Sequence, residues 1–292
     1  MASLTAYAVQ TVNSGLALGS VYGLMALGFS LIYNSSRLIN FAQGELLLLC
    51  GLTLYSLTQA IQVNPAFALA AAGACGYFAG FIMYSSTLGL SFRANPLRQL
   101  MLTVAASLTW QGVAILVWGK KPLLLPRLLP IPAVTVGPFY LSADTAASLA
   151  MALAAAGLLS LFLAKTRYGR AIRAVSMNSL AARLQGVSPT NAHALSFALA
   201  GVTAALGSMA VGPQTMLRYD MGLGLGLKGF VAASLGGYDS VWKVFAGGVI
   251  LGLVEAALVL TFSAELKETL SYALLIGLLL LAKSDRARPV KA

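Results

Sequence analysis

The feature that most constrains the fold is a series of apolar runs, each about 20 residues long, that recur along the whole chain. A helix crosses the hydrocarbon core of a bilayer with about 20 apolar residues, because each residue adds about 1.5 Å. The candidate segments are 14–33, 41–60, 66–90, 99–118, 143–164, 193–212, 222–237, 243–262 and 268–283. The sequence therefore predicts an all-α, polytopic bundle of transmembrane helices with eight or nine membrane segments.

The seventh segment, 222–237, differs from the others because it is short and rich in glycine. Glycine destabilises a helix relative to alanine, so two interpretations of this segment stay open. The segment is either a plain span or a broken or re-entrant one, as found where backbone lines a cavity at membrane depth.

Composition excludes a water-soluble domain. Hydrophobic residues make up 59% of the chain and charged residues only 9%, whereas soluble proteins carry about 25% charged residues. The net charge of +11 does not indicate nucleic acid, because the basic residues lie in short loops between apolar runs. No polar linker divides the chain, so we expect one transmembrane domain over residues 1–292.

The distribution of basic residues predicts the orientation, because cytoplasmic loops are enriched in Lys and Arg. One set of loops, which includes 91–98, 165–192 and the C-terminus, holds 13 of the 19 basic residues. The opposite set holds five, and Lys228 lies within a segment. We therefore expect the N-terminus outside and the C-terminus in the cytoplasm.

The cytoplasmic loop 165–192 has the pattern of a short amphipathic helix. Arginines recur every three residues from Arg167 to Arg173, and good helix formers follow over 179–185. Gly186 is placed to end that helix. Such a helix is typical of a docking element for another protein, and a solvated connector is the alternative interpretation.

Motifs for catalysis are missing from the sequence. It contains no Gly-Lys-Ser or Gly-Lys-Thr, which a P-loop requires, so another subunit must supply any nucleotide energy. The single histidine, His193, and two cysteines in apolar runs argue against a metal or haem site. We expect neither an intramembrane enzyme nor a cofactor bound to this chain.

Three ionisable residues are predicted at membrane depth, where each costs about 3 kcal/mol to insert and should have a partner. Lys228 and Glu255 both fall roughly 15–18 Å from the cytoplasmic face at the helical rise, which predicts an ion pair between neighbouring segments. That pair is either structural or in contact with solute. Glu45 is shallower, roughly 7 Å deep, and lies near Asn40 and Gln43. This polar group either lines a pathway or caps the start of a helix.

Glycines recur in the first and eighth segments at spacings that place them on one side of a helix. They are Gly15, Gly19, Gly23 and Gly28, and Gly247, Gly248 and Gly252. Small residues of this kind allow helices to approach closely in a membrane. A packing face is the expected role, and pore lining is the alternative.

Several stretches together resemble the membrane permeases of branched-chain amino acid ABC importers, in the same order and over nearly the whole chain. They are Asn13 to Gly28, Ile39-Asn-Phe-Ala-Gln-Gly-Glu45, Tyr168-Gly-Arg-Ala-Ile-Arg-Ala174, Ala181-Ala-Arg-Leu-Gln-Gly-Val187, Lys228 to Gly237 and Gly247 to Ala256. The resemblance implies a bacterial inner-membrane subunit that works with a second permease, related or identical. It also implies two cytoplasmic ATPases, which bind ATP and Mg, and a periplasmic binding protein. Relatives carry branched-chain amino acids, amides, urea or organic acids.

The resemblance also implies two sets of functional residues. Residues 176–184 would form the coupling helix that meets the ATPases, and the coupling residues are Arg170, Arg173, Ser176, Leu180, Ala182 and Leu184. The residues that would line or support the substrate pathway are Asn40, Gln43, Glu45, Lys228 and Glu255.

A stand-alone secondary transporter is the alternative hypothesis. Such a protein needs intramembrane carboxylates and a broken helix, which Glu45, Glu255 and segment 222–237 could supply. A docking helix in the cytoplasmic loop argues against it, because a self-contained transporter has no ATPase to engage.

Overall fold

A computed structural model describes residues 2–89, 95–126, 132–136 and 139–261 of the chain, together with residues 273, 276 and 277. Its α-helices over these residues are α1 (Ala2–Ser36), α2 (Gln43–Tyr55), α3 (Pro65–Tyr84), α4 (Pro96–Trp118), α5 (Ala143–Lys165), α6 (Arg167–Met177), α7 (Ser179–Leu184), α8 (Pro189–Val211), α9 (Met221–Gly236) and α10 (Val241–Thr261). Helices α2 and α3 each continue into a π-helical turn, Ser56–Ala60 and Ser85–Gly89.

Six of the described helices are long and apolar enough to cross a membrane, namely α1, α3, α4, α5, α8 and α10. They coincide with six of the predicted segments, which confirms the polytopic helical bundle. The glycine-rich seventh segment forms one continuous 16-residue helix, α9. The predicted segment 268–283 lies almost wholly outside the described residues.

Local signals explain where several helices begin. Helices α3, α4 and α8 each start with proline. Proline suits the first helical position because it has no backbone N–H, and an N–H at that position would have no partner within the helix. The preceding residue, Asn64, Asn95 or Ser188, accepts a hydrogen bond from the first turn through its side chain.

Helix α1 lies at the centre of the bundle. In its apolar span 89% of the residues are buried, against 17% in α4. It packs against α5, α8, α9 and α10. A Cβ atom added to Gly248 would strike the backbone of Gly23, and one added to Gly252 would strike that of Gly19. The expected role of these glycines as packing faces is therefore confirmed, and the structure shows that the first and eighth segments pack against each other.

The five prolines of region 119–142 predict an irregular cap rather than a helix. Strand β1 (Val134–Val136) pairs in antiparallel fashion with β2 (Phe139–Leu141). The described residues of this cap form no helix, as the prolines predict, and the two strands arise because Val-Thr-Val and Phe-Tyr-Leu have high strand propensity. A backbone bridge between Leu123 and Leu217 ties this cap to the turn that precedes α9.

Candidate functional site

A hydrogen-bonded cluster of Tyr22, Lys228 and Glu255 joins three helices inside the bundle. The Lys228 Nζ atom lies 2.7 Å from Glu255 Oε1. The Tyr22 hydroxyl donates to Glu255 Oε2 at 2.8 Å and accepts from Lys228 Nζ at 3.1 Å. Both oxygens of the buried Glu255 carboxylate therefore have a donor, and α1, α9 and α10 are tied at one point.

This geometry confirms the predicted Lys228–Glu255 pair across neighbouring helices. Sequence reasoning missed Tyr22, which is 1% exposed and completes the cluster. The available signal was a phenol in the middle of an apolar helix, because a buried tyrosine hydroxyl normally finds a hydrogen-bond partner.

The second buried carboxylate, Glu45, lies in the first turn of α2 and is fully buried. Its Oε1 atom accepts hydrogen bonds from Ser107 Oγ at 3.0 Å and Gln111 Nε2 at 2.8 Å, both on α4. Its Oε2 atom is buried without a hydrogen-bond partner among the described residues. Glu45 thus meets only neutral donors and keeps one oxygen available.

Glycines bring α2 and α9 into close contact beside Glu45. A Cβ atom added to Gly44 would strike the backbone of Gly222, and one added to Gly222 would strike the Glu45 carboxyl group. The backbone of Gly226 also lies within contact of that added Gly44 atom. The glycine-rich half of α9 therefore provides the space in which the Glu45 side chain fits.

The structure separates the three polar residues that the sequence groups at the start of α2. Asn40 donates to Met83 Sδ on α3, and Gln43 donates to the Ala200 carbonyl on α8. Glu45 meets α4 instead. Residues two positions apart on a helix point in directions that differ by about 200°, so Gln43 and Glu45 face nearly opposite sides of α2. Gln43 Oε1 is also buried without a hydrogen-bond partner in the described part of the chain.

The loop between α5 and α8 forms two helices rather than one. Helix α6 ends at Met177 and α7 begins at Ser179. Asn178 between them is extended, and its side chain accepts a hydrogen bond from Ala181 N as the N-cap of α7. The expected single helix over 176–184 is thus wrong at this residue, because an asparagine favours capping over continuing a helix.

The end of α7 agrees with the sequence. Gly186 has a φ of +80°, a conformation that suits glycine after a helix, and α8 begins at Pro189. Both signals lie where the sequence places them, so the boundary between α7 and α8 is confirmed.

Apolar side chains are exposed on the α6–α7 loop, outside the apolar spans. Met177 is 87% exposed, Leu180 70% and Leu184 80%. Ala182, by contrast, is buried in a small cluster with Ile172, Val175 and Ala192. The loop therefore has an inner face that holds it to the bundle and an outer face that presents large apolar groups.

Of the other predicted coupling residues, Arg170 and Arg173 are exposed on α6, and Ser176 is half-buried. The Ser176 carbonyl accepts a hydrogen bond from Arg37 Nη2 at 3.1 Å. This contact joins the loop to the end of α1, and sequence reasoning did not identify it.

The fold and its buried polar groups together define a polytopic α-helical membrane protein. Residues 11–279 match the protein family described as the permease component of a branched-chain amino acid transport system. This chain belongs to that family and is a permease component of an ABC importer, a transport subunit rather than an enzyme. The family therefore favours the importer hypothesis over a stand-alone secondary transporter.

Curated permease proteins match this chain over most of their own lengths. LivH of Escherichia coli strain K12, a high-affinity branched-chain amino acid transport system permease protein, is 30% identical over 94% of this chain and 93% of its own. BraD of Pseudomonas aeruginosa, of the same description, is 29% identical with the same coverage. The ribose import permease protein RbsC of Escherichia coli is 27% identical over 83% of this chain and 73% of its own.

A solved structure shares the fold. PsaBC from Streptococcus pneumoniae in complex with Fab matches with a TM-score of 0.54, over 97% of this chain and 95% of the other. Sequence identity is 13%, so this similarity concerns the arrangement of helices alone.

Proposed function

We propose that this chain carries branched-chain amino acids inward across the bacterial inner membrane as one permease subunit of an ABC importer. Residues 1–292 act as one permease domain, and 165–192 is the loop through which ATP hydrolysis drives it. Its partners are a second permease, two cytoplasmic ATPases that bind ATP and Mg, and a periplasmic solute-binding protein. The branched-chain solute is inferred from LivH and BraD.

The exposed apolar face of the α6–α7 loop is the observation that carries the ATPase assignment. Met177, Leu180 and Leu184 are more than two-thirds exposed, although α6 and α7 lie outside the apolar spans. Large apolar groups in contact with water mark interaction sites. In an importer whose permease has no P-loop, an ATPase is the partner that this surface fits.

The orientation follows from the same loop. If the ATPases bind α7, loop 165–192 is cytoplasmic, as the distribution of basic residues also predicts. The N-terminus then lies outside and the C-terminus inside.

Glu45 is the pathway residue with the clearest chemistry. An amino acid in transit carries an ammonium group, which needs acceptor oxygens once it leaves water. Glu45 Oε2 is a buried acceptor without a described partner, and Gln43 Oε1 is another on the opposite side of α2. Asn40 orders the backbone that enters α2 by accepting from Ala42 N. We assign Lys228 and Glu255 a supporting role, because they satisfy each other.

Gentle purification of the tagged chain from native membranes tests the assembly. We expect P-loop ATPases and a second permease to co-purify in fixed ratio. Proteoliposomes that contain this complex and the binding protein should take up leucine only with ATP. A homo-oligomer that transports without any ATPase would contradict the proposal.

Substitutions in α7 test the docking face. Leu184→Asp should leave the fold intact but reduce ATPase recovery with the complex at least fivefold, because the charge stays in water until the partner must bury it. Ala182→Asp is the matched comparison and should lower the unfolding temperature, since Ala182 is buried. Normal coupled transport by a stable Leu184→Asp variant would exclude α7 as the docking element.

A further inference from the structure

Arg37 connects the end of α1 to the end of α6. It follows the last residue of α1 and has a φ of +58°, which is unusual for a residue with a side chain. Its guanidinium donates to the Ser176 carbonyl at 3.1 Å and lies 5.7 Å from the centre of the Tyr33 ring. The same side chain therefore touches the α6–α7 loop and the central helix.

Tyr33 connects Arg37 to the turn between α9 and α10. Its ring centre lies 4.4 Å from that of Tyr238, which is 5% exposed. The Tyr238 carbonyl accepts from Asn34 Nδ2 at 2.6 Å and Ser30 Oγ at 3.0 Å, both on α1. The turn is thus attached to α1 through a ring contact and two hydrogen bonds.

Backbone strain is concentrated at both ends of this connection. Among the described residues, the non-glycine residues with positive φ are Arg37, Gln62 and Tyr238. Such conformations persist only where surrounding contacts hold them, and they cluster in elements that switch between states. Two of the three belong to the connection, at opposite ends.

Open space flanks the contact between Arg37 and Ser176. Two clefts of about 390 and 400 Å³ are both bordered by Asn34, Arg37, Ser176 and Met177. The hydrogen bond therefore spans a gap between α1 and α6. A displacement of α6 would reach α1 through this bond as well as through the direct contacts between the two helices.

We infer that Arg37, Tyr33 and Tyr238 form the linkage that transmits movement of the α6–α7 loop to the α9–α10 hairpin. This inference rests on the proposed function, because it assumes that an ATPase moves that loop. The hairpin carries Lys228 and Glu255, and α9 also packs against Glu45. Movement of the turn at Tyr238 would thus reach both buried carboxylates. Arg37 and Tyr33 are positioning residues that need not touch the solute.

The test uses the full complex of permeases, ATPases and binding protein in proteoliposomes, with leucine as solute. Two quantities are measured: leucine transported per ATP hydrolysed, and stimulation of ATP hydrolysis by the loaded binding protein. Arg37→Gln and Tyr33→Leu should preserve assembly and unstimulated hydrolysis. Both should reduce leucine per ATP at least fivefold, because the loop then moves without α9 and α10.

Matched controls separate this role from a structural one. Tyr33→Phe keeps the ring between Arg37 and Tyr238, so its leucine per ATP should stay within twofold of the wild type. Arg98→Gln removes an exposed arginine that is not part of the linkage, and its leucine per ATP should also stay within twofold of the wild type. An unchanged ratio in both Arg37→Gln and Tyr33→Leu would overturn the inference. Loss of assembled complex in both variants would overturn it too, because the residues would then only stabilise the fold.

The outcomes also distinguish this inference from the proposed function. If the wild-type complex shows no ATP-dependent leucine uptake, the proposed function itself fails. If the wild type transports leucine and both variants keep its coupling ratio, only the linkage fails.

Discussion

The two carboxylates buried inside the bundle, Glu255 and Glu45, have contrasting surroundings. Glu255 pairs with a lysine through one oxygen and with the Tyr22 hydroxyl through the other. Glu45 meets only the neutral donors Ser107 and Gln111, both at one oxygen. Its other oxygen has no hydrogen-bond partner in the part of the chain that the structure describes.

This contrast suggests different roles for groups of the same chemistry. A buried charge that is paired and fully hydrogen-bonded is in a stable arrangement, and disturbing it costs stability. A buried carboxyl oxygen without a donor is costly as it stands and gains most from a cation that arrives. We therefore expect substitutions at the first site to affect folding, and those at the second to affect transport.

Lys228→Met should have the largest effect. It leaves the Glu255 carboxylate buried without its cation, which costs about 3–5 kcal/mol when a buried pair is broken from one side. The free energy of unfolding of the purified permease, measured in detergent, should fall by that amount.

The double variant Lys228→Met with Glu255→Gln provides the control, because no buried charge is then left unpaired. It should recover most of the lost stability. If the double variant is no more stable than Lys228→Met alone, the ion pair does not hold α9 to α10 and the comparison fails.

Glu45→Gln should change transport and leave stability nearly unaltered. The amide has the same size and can still accept from Ser107 and Gln111, but it no longer attracts an ammonium ion. A hydrogen bond to a charged group contributes about 1.5–3 kcal/mol. Leucine uptake, measured at equal amounts of assembled complex, should therefore fall about ten- to hundredfold.

Glu255→Gln is the matched comparison for this variant. It should lower the unfolding temperature, because the Lys228 ammonium then loses its charged partner. If Glu45→Gln destabilises the chain as much as Glu255→Gln and leaves uptake intact, the two carboxylates have the same structural role.

Sequence reasoning found the Lys228–Glu255 pair because the helical rise fixes depth, and depth predicts which charges can meet. It did not find the partners of Glu45, which depend on how α4 lies against α2. It also grouped Gln43 with Glu45, although they face different helices. Proximity in sequence is a poor guide to contact when residues lie two positions apart on a helix.

The apolar runs predicted eight or nine membrane segments, and six of these are long helices among the described residues, because length and hydropathy decide whether a segment can span a bilayer. The sequence did not predict the break between α6 and α7, because asparagine is tolerated within a helix. Its capping role depends on the hydrogen bond that Asn178 accepts from the Ala181 N–H. The linkage joins residues far apart in the sequence, since Ser176 lies 139 positions after Arg37 and Tyr238 lies 205 positions after Tyr33. No local pattern encodes such a contact.

Gly222→Ala should have an intermediate effect at the Glu45 site. The added methyl group would strike the Glu45 carboxyl group, and overfilling of a packed site typically costs about 1–3 kcal/mol. The unfolding temperature should therefore fall, and leucine uptake should fall with it as the carboxyl group is displaced.

Gly157→Ala on α5 is the control, because nothing lies within 4 Å of the added atom. It should be neutral or stabilising by up to about 1 kcal/mol, as alanine favours a helix. If Gly222→Ala behaves like Gly157→Ala in both measurements, the close approach of α9 to Glu45 has no functional consequence.

Tyr22→Phe should have a smaller effect than Lys228→Met and should sharpen the comparison most. It removes the hydroxyl that donates to Glu255 Oε2 but preserves the Lys228–Glu255 ion pair and the ring beside it. The variant loses two hydrogen bonds, the one to Glu255 Oε2 and the one from Lys228 Nζ. At about 1 kcal/mol each, the unfolding free energy should fall by about 2 kcal/mol. Tyr77→Phe, at an exposed position on α3, should change it by much less. A loss as large as that of Lys228→Met would mean that the hydroxyl, rather than the lysine, holds Glu255, which would then resemble Glu45 in depending on a neutral donor.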